Sequence, residues 1–353
     1  MPHHMKALVF RGDNDLRYED WPVPRVGPAD VLVRVGAVGI CGSDVHGFLG
    51  KTGRRTAPMI MGHEFAGDVM RVGKRVRELR PGQQVAVFPY ASCGSCACCR
   101  EGAAAACPVK RMFGVFDVNG GMAEYVSVPA RQLIPLPRGA EVVHAALAEP
   151  LSVAAHGVAI AGLKRGTRLA IVGAGTIGLM CLVLAKRLNV ESVTVLDLAP
   201  DRLRLAKRMG AARVIHSDRG AAPPSGRFDV VIEAVGVAAT LNQAVRLARR
   251  GGQVVVLGMS QREIPLDMFD IVAREIRLEG SFNYNLQEFA RIVGMLPSLR
   301  TDLDRVVSHL VPLEHGVDMF RRLAQGEAGM CKVILTGGAG PGEEQSGGRK
   351  RAT

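Results

Sequence analysis

Apolar positions in the first part of the chain come in short runs rich in Val, Leu and Ile, interrupted by glycine or proline. Residues 6–10 read as a strand, and Gly12, Asp13, Asn14 and Asp15 as the turn that follows. Pro22, Pro24 and Pro28 forbid regular helix over the next stretch. Residues 31–35, 65–69 and 84–88 are further strand-like runs, and the glycine-flanked segment around Cys41 reads as a loop between the first two. Residues 120–126 return the chain to a strand, which Pro129, Pro135 and Pro137 break up; a helix is then predicted to begin near Pro150. Many short strands and few helices predict a compact, mostly β, barrel-like domain whose loops meet at one point.

From Arg168 the texture changes. Strands are predicted at 168–172, 193–196, 213–216, 229–233, 252–257 and 276–280, alternating with helices such as 179–188 and 201–209, and with a Pro/Gly-rich loop at 220–226. Six strands with crossovers make a full doubly wound α/β set. Beyond Ser281 come helices near 286–299 and 313–325 and a strand at 332–335, expected to fold back onto the first domain. The resulting division is a catalytic domain over 1–151, a nucleotide domain over 152–285, a returning segment over 286–337 and a disordered polar tail over 338–353.

The candidate chemistry sits at the joints of this pattern. Gly173-Ala-Gly175-Thr176-Ile177-Gly178 lies between a predicted strand and helix, the context in which G-x-G-x-x-G binds a dinucleotide. Gly173 serves the tight turn, Gly175 the approach of a pyrophosphate, and Gly178 close helix–strand packing, with the helix N-terminus facing the phosphates. Asp197, at the tip of the next strand, would accept hydrogen bonds from the adenosine ribose and repel a 2′-phosphate. That favours NAD over NADP, although Arg202 stands near enough to bear on the choice. Val235 and Gly258 follow later strands where cofactors bind; ordinary turn chemistry explains Gly236 and Gly258 equally well.

Two groups of residues suit metals. Cys41, with Ser43 and His46 close behind, precedes Gly62-His63-Glu64, and Cys, His and Glu from separated segments suit a catalytic zinc with one open position. Glu149 either complements the dipole of the helix it opens or completes that site. Cys93, Cys96, Cys99 and Cys107 have the spacing C-x2-C-x2-C-x7-C of a closed structural zinc lobe, with Cys98 a bystander.

Composition alters the picture little. The chain has 353 residues, enough for two cores, and its 48% hydrophobic and 22% charged content is that of a globular enzyme. A formal charge of +12 raises nucleic-acid binding, but arginine is spread along the whole chain and aromatics are only 5%. The basic balance suits anionic cofactors better, and no nucleic-acid partner is expected. Eight cysteines with ligand-like crowding point to a reducing cytoplasm rather than disulfides. The N-terminus lacks the apolar core of a signal peptide, with Met5 an alternative start. The uncharged run 169–185 contains the nucleotide turn, so no membrane segment is expected. Arg54-Arg55 reads as a solvated basic turn, with contact to an anionic substrate group the alternative; Phe282 and Tyr284 either line a cleft or pack in the core.

Taken together, Cys41-Gly-Ser-Asp-Val-His46, Gly62-His63-Glu64, the four-cysteine lobe, the glycine turn and Asp197 resemble the zinc-dependent medium-chain alcohol and polyol dehydrogenases over about residues 5–337. Glu149-Pro150-Leu151-Ser152-Val153 looks like the sorbitol (L-iditol) dehydrogenase branch. The resemblance implies a GroES-like catalytic domain joined to a Rossmann domain. It implies catalytic zinc on Cys41, His63 and Glu64, with Glu149 bound directly or through water, and a second, structural zinc. It further implies hydride transfer between a secondary alcohol and NAD, Ser43 and His46 relaying the hydroxyl proton, and a homodimer or homotetramer. Threonine, butanediol or phosphorylated-polyol oxidation is the alternative within the family. Cys41, His63, Glu64 and Asp197 argue against a zinc-free NADPH-dependent enone reductase.

Overall fold

The computed structural model describes residues 3–93, 95–101, 107–218 and 226–337; most of the loop expected at 220–226 and the tail expected at 338–353 lie outside the described residues. The first strand, His4–Gly12, pairs with Asp15–Pro22 across the expected turn and with Met59–Ile60 on its other side. The strand Asp30–Gly39 anchors the larger sheet, because it pairs antiparallel with Glu64–Val72, Tyr125–Pro129 and Lys332–Thr336. The chain therefore returns from its far end to close the first domain's sheet. Met5, Leu8, Val33, Phe65 and Leu335 fill the interior of this β domain.

The second sheet is wholly parallel. Its order is Arg213–His216, Ser192–Asp197, Arg168–Val172, Phe228–Glu233, Ala248–Val256 and Arg277–Gly280, so the third strand in space is the first in sequence. That is the doubly wound order, with its switch point between Arg168–Val172 and Phe228–Glu233. The central strands are apolar except for Arg168, Asp229 and Glu233 at their ends, as burial on both faces demands.

A continuous core crosses the seam between the two domains, running from Ala37 and Tyr90 through Leu147 and Leu151 to Leu179 and Phe289. The helix Ala148–Ile160 carries it, packing on Thr176–Arg187 and on the long helix Leu286–Val306. Two expectations differ here. The long helix continues past residue 299 with Pro297 inside it, because Leu299, Leu303 and Val306 keep its apolar face buried. The segment after Cys41 is not a loop but the helix Gly42–Phe48. Cys41 caps it in extended conformation, and Asp44 reaches back to accept the Cys41 amide at 3.1 Å, a capping arrangement that satisfies an otherwise open donor.

Candidate active site

Two strand ends and one helix start converge at the seam. Cys41 ends the approach from Asp30–Gly39, His63 and Glu64 open Glu64–Val72, and Glu149 lies in the first turn of Ala148–Ile160. The Cys41 thiol, a His63 ring nitrogen and a Glu64 carboxylate oxygen all lie within 4.8 Å of one another. Glu149 stands outside that triplet and is held from behind, with Tyr284 Oη donating to its Oε1 at 3.1 Å and Tyr90 Oη 3.5 Å away. Burial, reinforced by the neighbouring Glu64 charge, pushes the Glu149 pKa up to about 7.

The supporting charges are equally buried. Lys332 Nζ donates to both oxygens of Glu64, at 2.9 and 2.7 Å, and to Ile40 O at 3.1 Å. Glu64 is thus brought to the cluster with its charge already countered. Asp44 is fully buried, accepts from Arg55 Nη2 at 2.9 Å, and lies 3.5 Å from His63 Nδ1, an ion-pair distance rather than a short hydrogen bond. Burial alone would raise the Asp44 pKa, but His63 and Arg55 overcome it and hold the group at about 2. Arg55 is therefore not part of a solvated turn: its side chain is 3% exposed and committed to Asp44, so it is not available to an anionic substrate. Ser43 and His46 are exposed and three residues apart, hence on one face of Gly42–Phe48.

These donor sets fit zinc. Thiolate, imidazole and carboxylate from two segments leave room for a further ligand, and the His63 nitrogen that faces Asp44 leaves the other for a metal. In the second cluster the thiols of Cys93, Cys96, Cys99 and Cys107 also lie within 4.8 Å of one another, while Cys98 is outside it. Backbone amides of Ser95 and Cys96 pull the Cys93 pKa down to about 5. Cys96 gains from the Cys99 amide, yet the neighbouring thiols push it up to about 12. Sulfurs at 3.4–3.8 Å from one another could ionise together only around a shared cation.

The nucleotide turn lies at the switch point. Gly173, Asp197, Arg202 and Val235 line a cleft of about 700 Å³ that also takes in Ser217, Arg246 and the 326–330 segment. Asp197 accepts the amides of Ala174 at 2.6 Å and Ala199 at 2.8 Å. Gly175 caps the helix that Thr176 and Ile177 begin, and Thr176 Oγ1 donates to Cys331 O at 3.1 Å. A Cβ on Gly178 would lie 1.8 Å from Gly173 O, so only glycine allows the helix this close to the strand. Gly258 is fixed likewise: its Cβ would lie 2.0 Å from the Gly236 amide, so the two loops touch there, while Gly236, at φ +81°, also serves the turn chemistry expected of it.

Comparisons with known proteins agree along nearly the whole chain. Residues 27–138 match the alcohol dehydrogenase GroES-like domain, and residues 176–298 match the zinc-binding dehydrogenase model. Sorbitol dehydrogenase of Bacillus subtilis is 34% identical over 95% of this chain and 98% of its own length. The chain belongs to the zinc-dependent medium-chain alcohol and polyol dehydrogenases. Among solved structures, galactitol-1-phosphate dehydrogenase of Escherichia coli superposes with a TM-score of 0.88 at 29% identity, covering 94% of this chain and 100% of its own. A Sinorhizobium meliloti structure bound to NADP gives 0.87 at 34% identity over 94% and 99%. No described helix is long and apolar enough to cross a membrane.

Within this medium-chain dehydrogenase, sequence reasoning missed the second layer around the cluster. Asp44 was in view inside the Cys41 motif, three residues past the helix cap, which is itself a capping signal. Lys332 had a weaker one, a charge within the otherwise apolar strand Lys332–Thr336. Tyr90 and Asn283, joined by a 2.9 Å hydrogen bond, had none. Of the two aromatic candidates, Tyr284 is buried against Glu149 whereas Phe282 is half exposed.

Proposed function

We propose that this dehydrogenase oxidises a secondary hydroxyl of a polyol or sugar-derived alcohol with NAD. The observation that carries the reading is the Cys41–His63–Glu64 cluster, with Glu149 behind it, at the seam beside a doubly wound nucleotide cleft. Cys41, His63 and Glu64, with Glu149, would hold the catalytic metal; Cys93, Cys96, Cys99 and Cys107 would hold a second zinc as a structural clamp. When bound, zinc supplies Lewis-acid polarisation of the alcohol, and NAD the hydride acceptor. The chain does the rest. Asp44 orients His63, Lys332 offsets the Glu64 charge, and Ser43 and His46 on their shared face take the hydroxyl proton and pass it outward. Glu149, with a pKa near neutrality, can change charge state as ligands enter. Asp197 would exchange its amide contacts in part for the ribose hydroxyls and exclude a 2′-phosphate.

A homodimer or homotetramer is part of the same proposal. Arg277–Gly280 ends the parallel sheet with exposed residues, and the helix Met268–Ala273 nearby exposes Met268, Phe269 and Val272, a pattern that a second copy would cover. Clustered thiols suit a reducing cytoplasm. Oxidation of threonine, butanediol or a phosphorylated polyol is the alternative. A panel of polyols, sugar acids and amino alcohols, assayed by NADH or NADPH absorbance, decides. Turnover of polyols with NAD above NADP is expected; preference for threonine, or for NADP, would overturn the respective half of the reading.

A further inference from the structure

At the switch point of the parallel sheet the strand Phe228–Glu233 ends on a carboxylate that is fully buried. Its two oxygens are used unequally. Oε1 accepts three hydrogen bonds from the loop that follows: the Val235 amide at 2.9 Å, the Gly236 amide at 2.8 Å and Thr240 Oγ1 at 2.7 Å. Oε2 is buried with no partner among the described residues. Burying a carboxylate with one oxygen unsatisfied costs free energy that a neutral apolar residue would avoid. What the arrangement secures instead is the shape of residues 234–236.

That loop faces the nucleotide cleft, where Val235 and Thr240 stand beside Gly173. Val235 reaches the glycine turn so closely that a Cβ on Gly173 would lie 2.6 Å from Val235 Cγ2. The backbone is fixed from the other side as well. Glu233 O accepts the Leu257 amide at 2.8 Å, Val235 O accepts Ser260 Oγ at 2.6 Å, and Gly236 O accepts the Gln261 amide at 2.8 Å. Loops after three neighbouring strands therefore lock together around Glu233. In a doubly wound sheet each half takes one mononucleotide. Asp197 belongs to the half expected to hold adenosine, and Glu233 opens the other. We propose that Glu233 is a positioning residue for the nicotinamide half of the coenzyme, acting through the Val235–Gly236 wall that its Oε1 holds in place. The inference rests on the nicotinamide-coenzyme reading above.

The test compares two ligands, NADH and AMP, by calorimetric titration of the zinc-replete protein, because AMP carries the adenosine half alone. Glu233→Ala should raise the Kd for NADH roughly tenfold, the scale of a lost hydrogen bond to a charged group, and leave that for AMP within about twofold. Glu233→Gln keeps the side chain's volume, so it carries the test even where the alanine variant does not fold. Its amide oxygen has two lone pairs for three donors, and a rise of about threefold for NADH with AMP unmoved is expected. A merely structural carboxylate would change Tm, or weaken both ligands alike, without separating NADH from AMP. NADH affinity unmoved in folded variant protein, or AMP weakened as much as NADH, overturns the role of Glu233 and leaves the dehydrogenase reading standing. Parent protein that binds neither NADH nor NADPH overturns both.

Discussion

Asp44 does three jobs with one buried carboxylate: it caps a helix, neutralises Arg55 and faces the ring nitrogen of His63. Removing its charge while keeping its shape spares the cap and changes what Arg55 and His63 face. Asp44→Asn should weaken zinc affinity at the catalytic cluster roughly 10–100-fold, the usual scale for a lost partner behind a histidine ligand. Competition with a chelator measures this, and an unchanged affinity would contradict the orienting role. At this scale the sequence was legible where a residue's chemistry is local. Cys41, His63, Glu64 and the four thiols cluster as their spacing suggested. It was not legible where a charge finds its partner across the chain. Nothing near Glu64 announces Lys332, and nothing near Arg55 tells whether it faces solvent or Asp44.

Among the elements, the starts of three strands in the parallel sheet are tied by a single side chain. Asp229 accepts from the Arg168 amide at 2.9 Å and from its Nε at 3.1 Å, and from Arg249 Nε at 2.7 Å. Hydrogen bonds from Arg168, then Arg249, hold its pKa well below the ordinary 3.8. A depressed carboxylate pKa contributes stability that is present above the unfolded value and is lost as pH falls through the folded one. Asp229→Asn should accordingly lower Tm at pH 7, and the gap to the parent should close as pH falls below about 4. Thermal melts across pH check this; a gap independent of pH would contradict it. The six strands were readable because β-branched runs alternate with turn residues. The helix Gly42–Phe48 was not, because its flanking glycines argue locally for a turn while Cys41 and Asp44 cap a helix.

For the molecule as a whole, function depends on the seam. The far end of the chain closes the first domain's sheet through Lys332–Thr336, and that strand carries the lysine which counters Glu64. The coenzyme domain in turn supplies Tyr284 to Glu149. Neither domain holds a finished site alone, so the cluster and the nucleotide cleft are built together. The most direct test of that claim is zinc content measured beside turnover in the parent and in Cys41→Ser. Two zinc ions per chain and alcohol-dependent NAD reduction are expected for the parent. One zinc, unimpaired NADH binding and no turnover are expected for the variant. Full turnover by Cys41→Ser, or by parent protein stripped of its zinc, would contradict the account.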